Sequence, residues 1–287
     1  MNLPRFLPFL RRAVPAPKIA LVLGGGAARG FAHIGVIQEL ERQNIPISLV
    51  VGTSVGSLIG AIYACCGDSA KLEAIARPIR RKDIFDYDLK TFLSRAGLVD
   101  GETLQKFVAQ HVPCNDFAQL KIPFVAVATD LVAGRTVVLD RGPVDVAVRA
   151  SCAIPGIFPP VRVDDQVLVD GWVLENIPVC VARQMGADIV IAVDVSIGVA
   201  DNQLGDLIDV IVQSITIMSA EHMKKSKAAA DIVISPDMSG VKRMDFEKKE
   251  FCLEAGVVAA RDALPEIRGR IASWRKPGWW QRFRQGS

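Results

Sequence analysis

Aromatic side chains are scarce in this chain, at 6% of its 287 residues, although half of all residues are hydrophobic. A core built instead from Val, Ile, Leu and Ala favours buried parallel strands and packed helices over a β-sandwich. Histidine is scarcer still. Only His33, His111 and His222 are present, so any imidazole chemistry must use one of them. The six cysteines include no Cys-x-x-Cys pair. No zinc-type spacing follows. Most cysteines lie in apolar segments, as small buried hydrophobes do in a reducing, cytoplasmic compartment. No stretch of about 18 uninterrupted apolar residues occurs, so no transmembrane helix is expected. The apolar run near the N-terminus is short, broken by prolines and followed by Arg11 and Arg12, unlike a signal peptide.

The net charge of +3 conceals an asymmetry. Residues 1–18 and 268–287 together hold ten of the 34 basic residues and no acidic one, leaving 24 basic against 31 acidic residues between them. Both ends also carry aromatics, among them Phe6, Phe9, Trp274, Trp279 and Trp280. Basic residues interleaved with Trp and Phe suit the headgroup region of an anionic membrane, here its inner face. Solvated, frayed tails are the plainer alternative. Nucleic acid is not an expected partner, because the middle of the chain is acidic and carries no nucleic-acid motif. Nothing in the sequence sets the oligomeric state.

Strand-like and helix-like stretches alternate over 18–66 and again over 177–235. That pattern implies a mostly parallel sheet with helices on both faces. The more charged region 68–120 reads as an insertion over the sheet, a candidate lid. Residues 122–140 read as two strands around a Gly turn, and 161–172 as a hairpin with Asp164 and Asp165 at its tip.

Three turns carry the chemistry. Gly52-Thr53-Ser54-Val55-Gly56 matches G-x-S-x-G between an expected strand and an expected helix, the context of a nucleophile elbow. The alternative is a Gly-rich turn in which Ser54 caps the helix. Gly24-Gly25-Gly26-Ala27-Ala28-Arg29-Gly30 also joins a strand to a helix, and consecutive glycines expose N–H groups to an anion. It fails the dinucleotide fingerprint in either register and has no Gly-Lys-Ser/Thr, so an oxyanion hole fits better. Arg29 can add a cation there or brace the loop. The third turn is Val169-Asp170-Gly171-Trp172 at a strand end.

A serine nucleophile needs a base. His222 follows Asp170 in triad order but sits mid-helix. His33 reads as a buried support of the glycine loop, and His111 as the end of a surface helix. A carboxylate beside a glycine can approach a serine closely, and burial raises its pKa toward usefulness. Asp194 and Asp130 also stand near strand ends, where capping or turn roles are the ordinary reading.

Taken together, "GGGAARGFAHIGVI", "GTSVGS", "ASCAIPGIFPPV" and "VDGWVLENIPV" resemble the patatin-like phospholipase family, over about residues 18–262. The resemblance implies a three-layer α/β/α sandwich with a mostly parallel central sheet. Outside the span of the resemblance, composition reads residues 1–17 as a flexible basic arm and 263–287 as a basic, Trp-rich tail. The resemblance also implies hydrolysis of lipid acyl esters through an acyl-enzyme, with no metal or other cofactor, Ser54 as nucleophile and Asp170 as general base. Gly24, Gly25, Gly26 and Arg29 match the oxyanion loop, Gly52 and Gly56 the elbow, and Gly171 the base motif. Two residues depart from the family pattern: Ala27, where a fourth glycine is common, and Trp172, where a small residue usually follows Asp-Gly. The alternatives are a serine esterase or thioesterase acting on soluble acyl compounds, and a regulatory protein that has lost turnover.

Overall fold

The computed structural model describes residues 16–84, 99, 101–199, 205 and 207–275. The expected arm at 1–17, the end of the basic tail and part of the region read as a lid therefore lie mostly or partly outside the described residues.

Eight strands form one sheet: β1 (Ile19–Leu23), β2 (Leu49–Thr53), β3 (Phe124–Asp130), β4 (Arg135–Leu139), β5 (Val161–Val163), β6 (Gln166–Asp170), β7 (Ile189–Val193) and β8 (Ile232–Ile234). The order is β5-β6-β3-β2-β1-β7-β8, with β4 also paired to β3. From β3 through β8 the path is parallel, and β4, β5 and β6 form an antiparallel wing. The expected alternation thus holds, with a mixed edge added.

The helices are α1 (Phe31–Arg42), α2 (Val55–Cys66), α3 (Ser69–Ala76), α4 (Arg81–Ile84), α5 (Glu102–His111), α6 (Val144–Ser151), α7 (Trp172–Glu175), α8 (Val179–Gln184), α9 (Leu207–Ala229) and α10 (Lys249–Ser273). Strand alternation assigns them to two faces. Ile19, Leu21 and Leu23 of β1 join the large core containing residues of α1, α2 and α10, whereas Ala20 and Val22 join a smaller one with Val179, Val181 and Ala182 of α8. Helices therefore cover both faces of a central sheet, giving three layers.

Two expectations about organisation change. Leu72, Ala76, Ile84, Leu104 and Val108 of the 68–120 region are buried in the large core, so its described helices are part of the fold. The helix α10 runs on through 263–273 with Leu264 and Ile267 buried, so the stretch read as a tail begins as packed helix. Within it, Arg270 pairs with Asp231, which also receives Arg183.

One feature of the sheet sets up the site. The strands β2 and β6 lie along the same edge of β3, because β4 occupies the other edge over Ala126–Asp130. Thr53, at the end of β2, pairs with Val127, and Asp170, at the end of β6, pairs with Ala128. The two strands run toward each other, and their carboxyl ends meet at consecutive β3 residues.

Candidate active site

Ser54 stands where β2 turns into α2. Its backbone has φ 55° and ψ −129°, a conformation costly for any residue with a Cβ. The neighbours hold it there. The Ser54 N–H donates to Ser151 Oγ at 3.0 Å, and that hydroxyl donates on to Val127 O at 2.6 Å. Ser57 Oγ donates to Ser54 O at 2.7 Å. The Ser54 side chain makes no capping hydrogen bond to α2. The N-cap alternative therefore does not account for this serine. Gly56 is required by space, since a Cβ there would lie 2.1 Å from Leu23 O.

Asp170 is completely buried. Its Oδ1 accepts the Trp172 N–H at 2.8 Å, while Oδ2 is buried without a full hydrogen bond. Burial pushes the Asp170 pKa up to about 7, against the opposing pull of the Ser54 hydroxyl and the Trp172 N–H. The same carboxylate, after burial itself, helps to raise the pKa of Cys152. A base with a pKa near neutrality, beside a strained serine, is suited to accepting the serine proton.

No histidine joins this pair. His33 is buried on α1, and its Nε2–H donates to Gly24 O at 2.7 Å. Desolvation lowers its pKa to about 4, despite the Gly24 bond and the Asp194 charge, so the ring is neutral and supports the glycine loop. His222 is exposed on α9, and His111 Nδ1 contacts Phe107 O at 2.8 Å within α5. Asp194 is tied to Ser196 and Lys227. Asp130 holds the N–H groups of Val132 and Ala133 in the β3–β4 turn.

The glycine loop differs in detail from its reading in the sequence. The Gly24 N–H donates to Val193 O at 3.1 Å, as an extension of the sheet. The Gly25 N–H is taken by Asn176, through both its Oδ1 at 3.1 Å and its backbone O at 3.3 Å. Arg29 does not present its fork to Ser54: Nε and Nη2 donate to Val241 O, and Nη1 to Ser196 O. It braces the loop. Gly26 and Ala27, by contrast, carry N–H groups with no acceptor among the described residues, and both line the cleft at Ser54. Ala27 has φ 50°, a left-handed conformation that favours glycine.

Ser54 lies between two unlike spaces. On one side, Trp172, Ile197 and Met223 line a small, mostly apolar cleft to which Asn176, Ser196 and Arg243 add polar groups. It adjoins a wider, more polar cleft of about 640 Å³ through the shared residues Ser196, Ile197 and Arg243. On the other side, Phe31, Leu58, Ile59, Leu104, Ile154 and Phe158 line an almost wholly apolar pocket. The bulky Trp172 ring thus forms a cleft wall.

The patatin-like phospholipase family model matches residues 21–183, more than half of the chain. The chain belongs to the patatin-like phospholipase family. All three turns fall inside the matched span. An uncharacterized NTE family protein of Mycobacterium tuberculosis is 39% identical over 185 residues, covering 64% of this chain and 51% of the relative. The mouse patatin-like phospholipase domain-containing protein 6 is 35% identical over 190 residues, 65% of this chain and 14% of that protein. The chain spans about half the length of the mycobacterial relatives it matches. Among solved structures, VipD from Legionella pneumophila aligns with a TM-score of 0.52 at 14% identity, over 89% of this chain and 67% of that one. ExoU of Pseudomonas aeruginosa, in its complex with SpcU, aligns at 0.51 and 12%, over 91% and 54%. These two likenesses establish a patatin-like α/β fold. Residues that sequence reading passed over now stand out in this patatin-like site: Ser151 and Asn176. Both lie inside blocks that carry the family resemblance, "ASCAIPGIFPPV" and "VDGWVLENIPV".

Proposed function

We propose that the protein hydrolyses acyl esters of lipids with Ser54 as nucleophile and Asp170 as general base. The observation that carries this reading is the meeting of a buried, high-pKa carboxylate with a strained serine whose hydroxyl caps nothing. Ser54 Oγ attacks the ester carbonyl as its proton passes to Asp170. The oxyanion receives the N–H groups of Gly26 and Ala27, joined by that of Val55 at the start of α2, where the helix dipole adds its field. Asp170 returns the proton to the departing alcohol. It then takes one from water as that water attacks the acyl-serine, and gives it to Ser54 Oγ as the fatty acid departs. The apolar pocket suits the acyl chain, and the polar cleft suits the rest of the lipid.

The test is labelling by a fluorophosphonate with mass mapping, on the parent protein and the Ser54→Ala and Asp170→Asn variants. The expected result is label on Ser54, absent in the first variant and greatly slowed in the second. A folded parent that takes no label would refute the reading.

The pocket assignment has its own test. Leu104→Phe fills the apolar pocket from α5. We expect hydrolysis of a dodecanoyl ester to fall about tenfold relative to a butanoyl ester, because apolar pockets discriminate on this scale per methylene. An unchanged ratio of kcat/KM values would move the acyl chain elsewhere.

A further inference from the structure

The helix α9 lies outside the matched family span, yet it forms one wall of the cleft at Ser54 through Thr216 and Met223. Its inner side is buried at Val212, Ile215, Thr216 and Ser219. Its first turns rest on the Pro155–Gly156 turn, where Ile208 and Ile211 crowd against Gly156. The outer side of α9 is unusual for a wall of this kind. Leu207 is 73% exposed, Val210 49%, Ile217 55% and Met218 66%. Positions 207, 210, 214, 217, 218 and 221 follow helical spacing, so these side chains form one stripe. Val199, also exposed, is tethered to it by the 2.9 Å bond from Gln213 Nε2 to Val199 O. Toward the C-terminal end the exposed residues become Glu221, His222, Lys224 and Lys225.

We propose that this face of α9 is the surface by which the protein docks on an anionic phospholipid bilayer. Three observations select that occupant. An apolar stripe followed by exposed lysines is the pattern of a helix lying in the headgroup boundary. The paired lysines complement lipid phosphates, and each basic residue near an anionic surface adds attraction. The stripe is also the outer side of the cleft wall. A bilayer seated there stands beside the cleft that leads to Ser54. Among the described residues no helix is long and apolar enough to cross a membrane, so the contact is peripheral. The surface extends the acyl-ester reading to the place where substrate is met.

The test does not depend on turnover. The full chain carrying Ser54→Ala is co-sedimented with vesicles of phosphatidylglycerol and phosphatidylcholine in equal parts. Adding Ile217→Asp and Met218→Asp lowers the vesicle partition coefficient by about tenfold or more, since exposed apolar side chains that would enter the bilayer are replaced by ones of the same charge sign as the lipid. Adding Val258→Asp, an exposed apolar position on α10, leaves it unchanged. Melting temperatures confirm that the variants fold. The proposal is overturned if the parent does not bind vesicles, or if the α9 double variant binds as well as the parent. It is also overturned if Val258→Asp weakens binding equally. A parent dimer that the α9 variant splits, with vesicle binding intact, would make this face a contact between copies and overturn it as well.

Discussion

Asp170→Asn lowers kcat/KM on a neutral ester by about two to four orders of magnitude, the range of a positioned general base. The same substitution changes stability in a pH-dependent direction. In the folded protein Asp170 binds its proton up to about pH 7, whereas an unfolded carboxyl releases it near pH 4. Between those values the folded state holds the extra proton, so the parent loses stability as pH rises, by about 1.4 kcal/mol per unit. Below that window the carboxyl is neutral in both states and exacts no such penalty. Above it the full penalty of a buried charge is present. Asn cannot ionise and removes the slope. Its amide carries its own desolvation cost of about 1–3 kcal/mol, because Oδ2 has no full partner to replace. The variant is therefore expected to be less stable than the parent near pH 4 and more stable at pH 8. Urea unfolding at the two pH values measures the reversal. A stability difference that does not vary with pH would show that Asp170 ionises normally. In the parent, kcat/KM rises with pH and levels off above an apparent pKa near 7, since only the carboxylate accepts the Ser54 proton.

Ser54→Gly abolishes hydrolysis and stabilises the protein by about 1–2 kcal/mol. The elbow conformation costs about 1–3 kcal/mol for a residue with a side chain, and glycine returns part of that as chain entropy. Ser54→Ala supplies the comparison. It removes the hydroxyl and keeps the Cβ, so activity is lost and the strain remains. If Ala and Gly have equal unfolding midpoints, the backbone at 54 is not under tension and the elbow argument fails. Together the two substitutions locate a stability deficit in the residue proposed to be the nucleophile.

The elbow was readable because its determinants are local. A strand, a small-residue turn and an apolar helix lie within one short stretch, and the G-x-S-x-G spacing states the geometry. The Asp-Gly pair at the end of β6 was readable for the same reason. Which loop N–H groups remain open was not readable, because the answer depends on distant acceptors. Val193 and Asn176 take the first two glycine N–H groups, which leaves Gly26 and Ala27. Arg29 shows the same limit. Its charge suggested a place near the oxyanion, but the carbonyls that receive it belong to Ser196 and Val241. Ser151 gave no signal, since a single buried hydroxyl joining two backbone groups has no spacing to detect. The helices in the 68–120 region were visible by periodicity. Their burial was not, because a charged outer face looks alike on a loose insertion and on a packed helix.

The head-to-head arrangement of β2 and β6 on one edge of β3 has a kinetic consequence. The β1–β2 half supplies the serine and the antiparallel wing supplies the carboxylate, from segments far apart in the chain. Neither half contains a working pair, and β3 is the template on which they are aligned. Contacts of such long sequence separation form late, after the local helices and hairpins. During refolding, helical signal should therefore return before esterase signal, and the interval between them times the docking of β6 onto β3. On the proposed reading, hydrolysis in this molecule doubles as a stopwatch for the joining of its two halves.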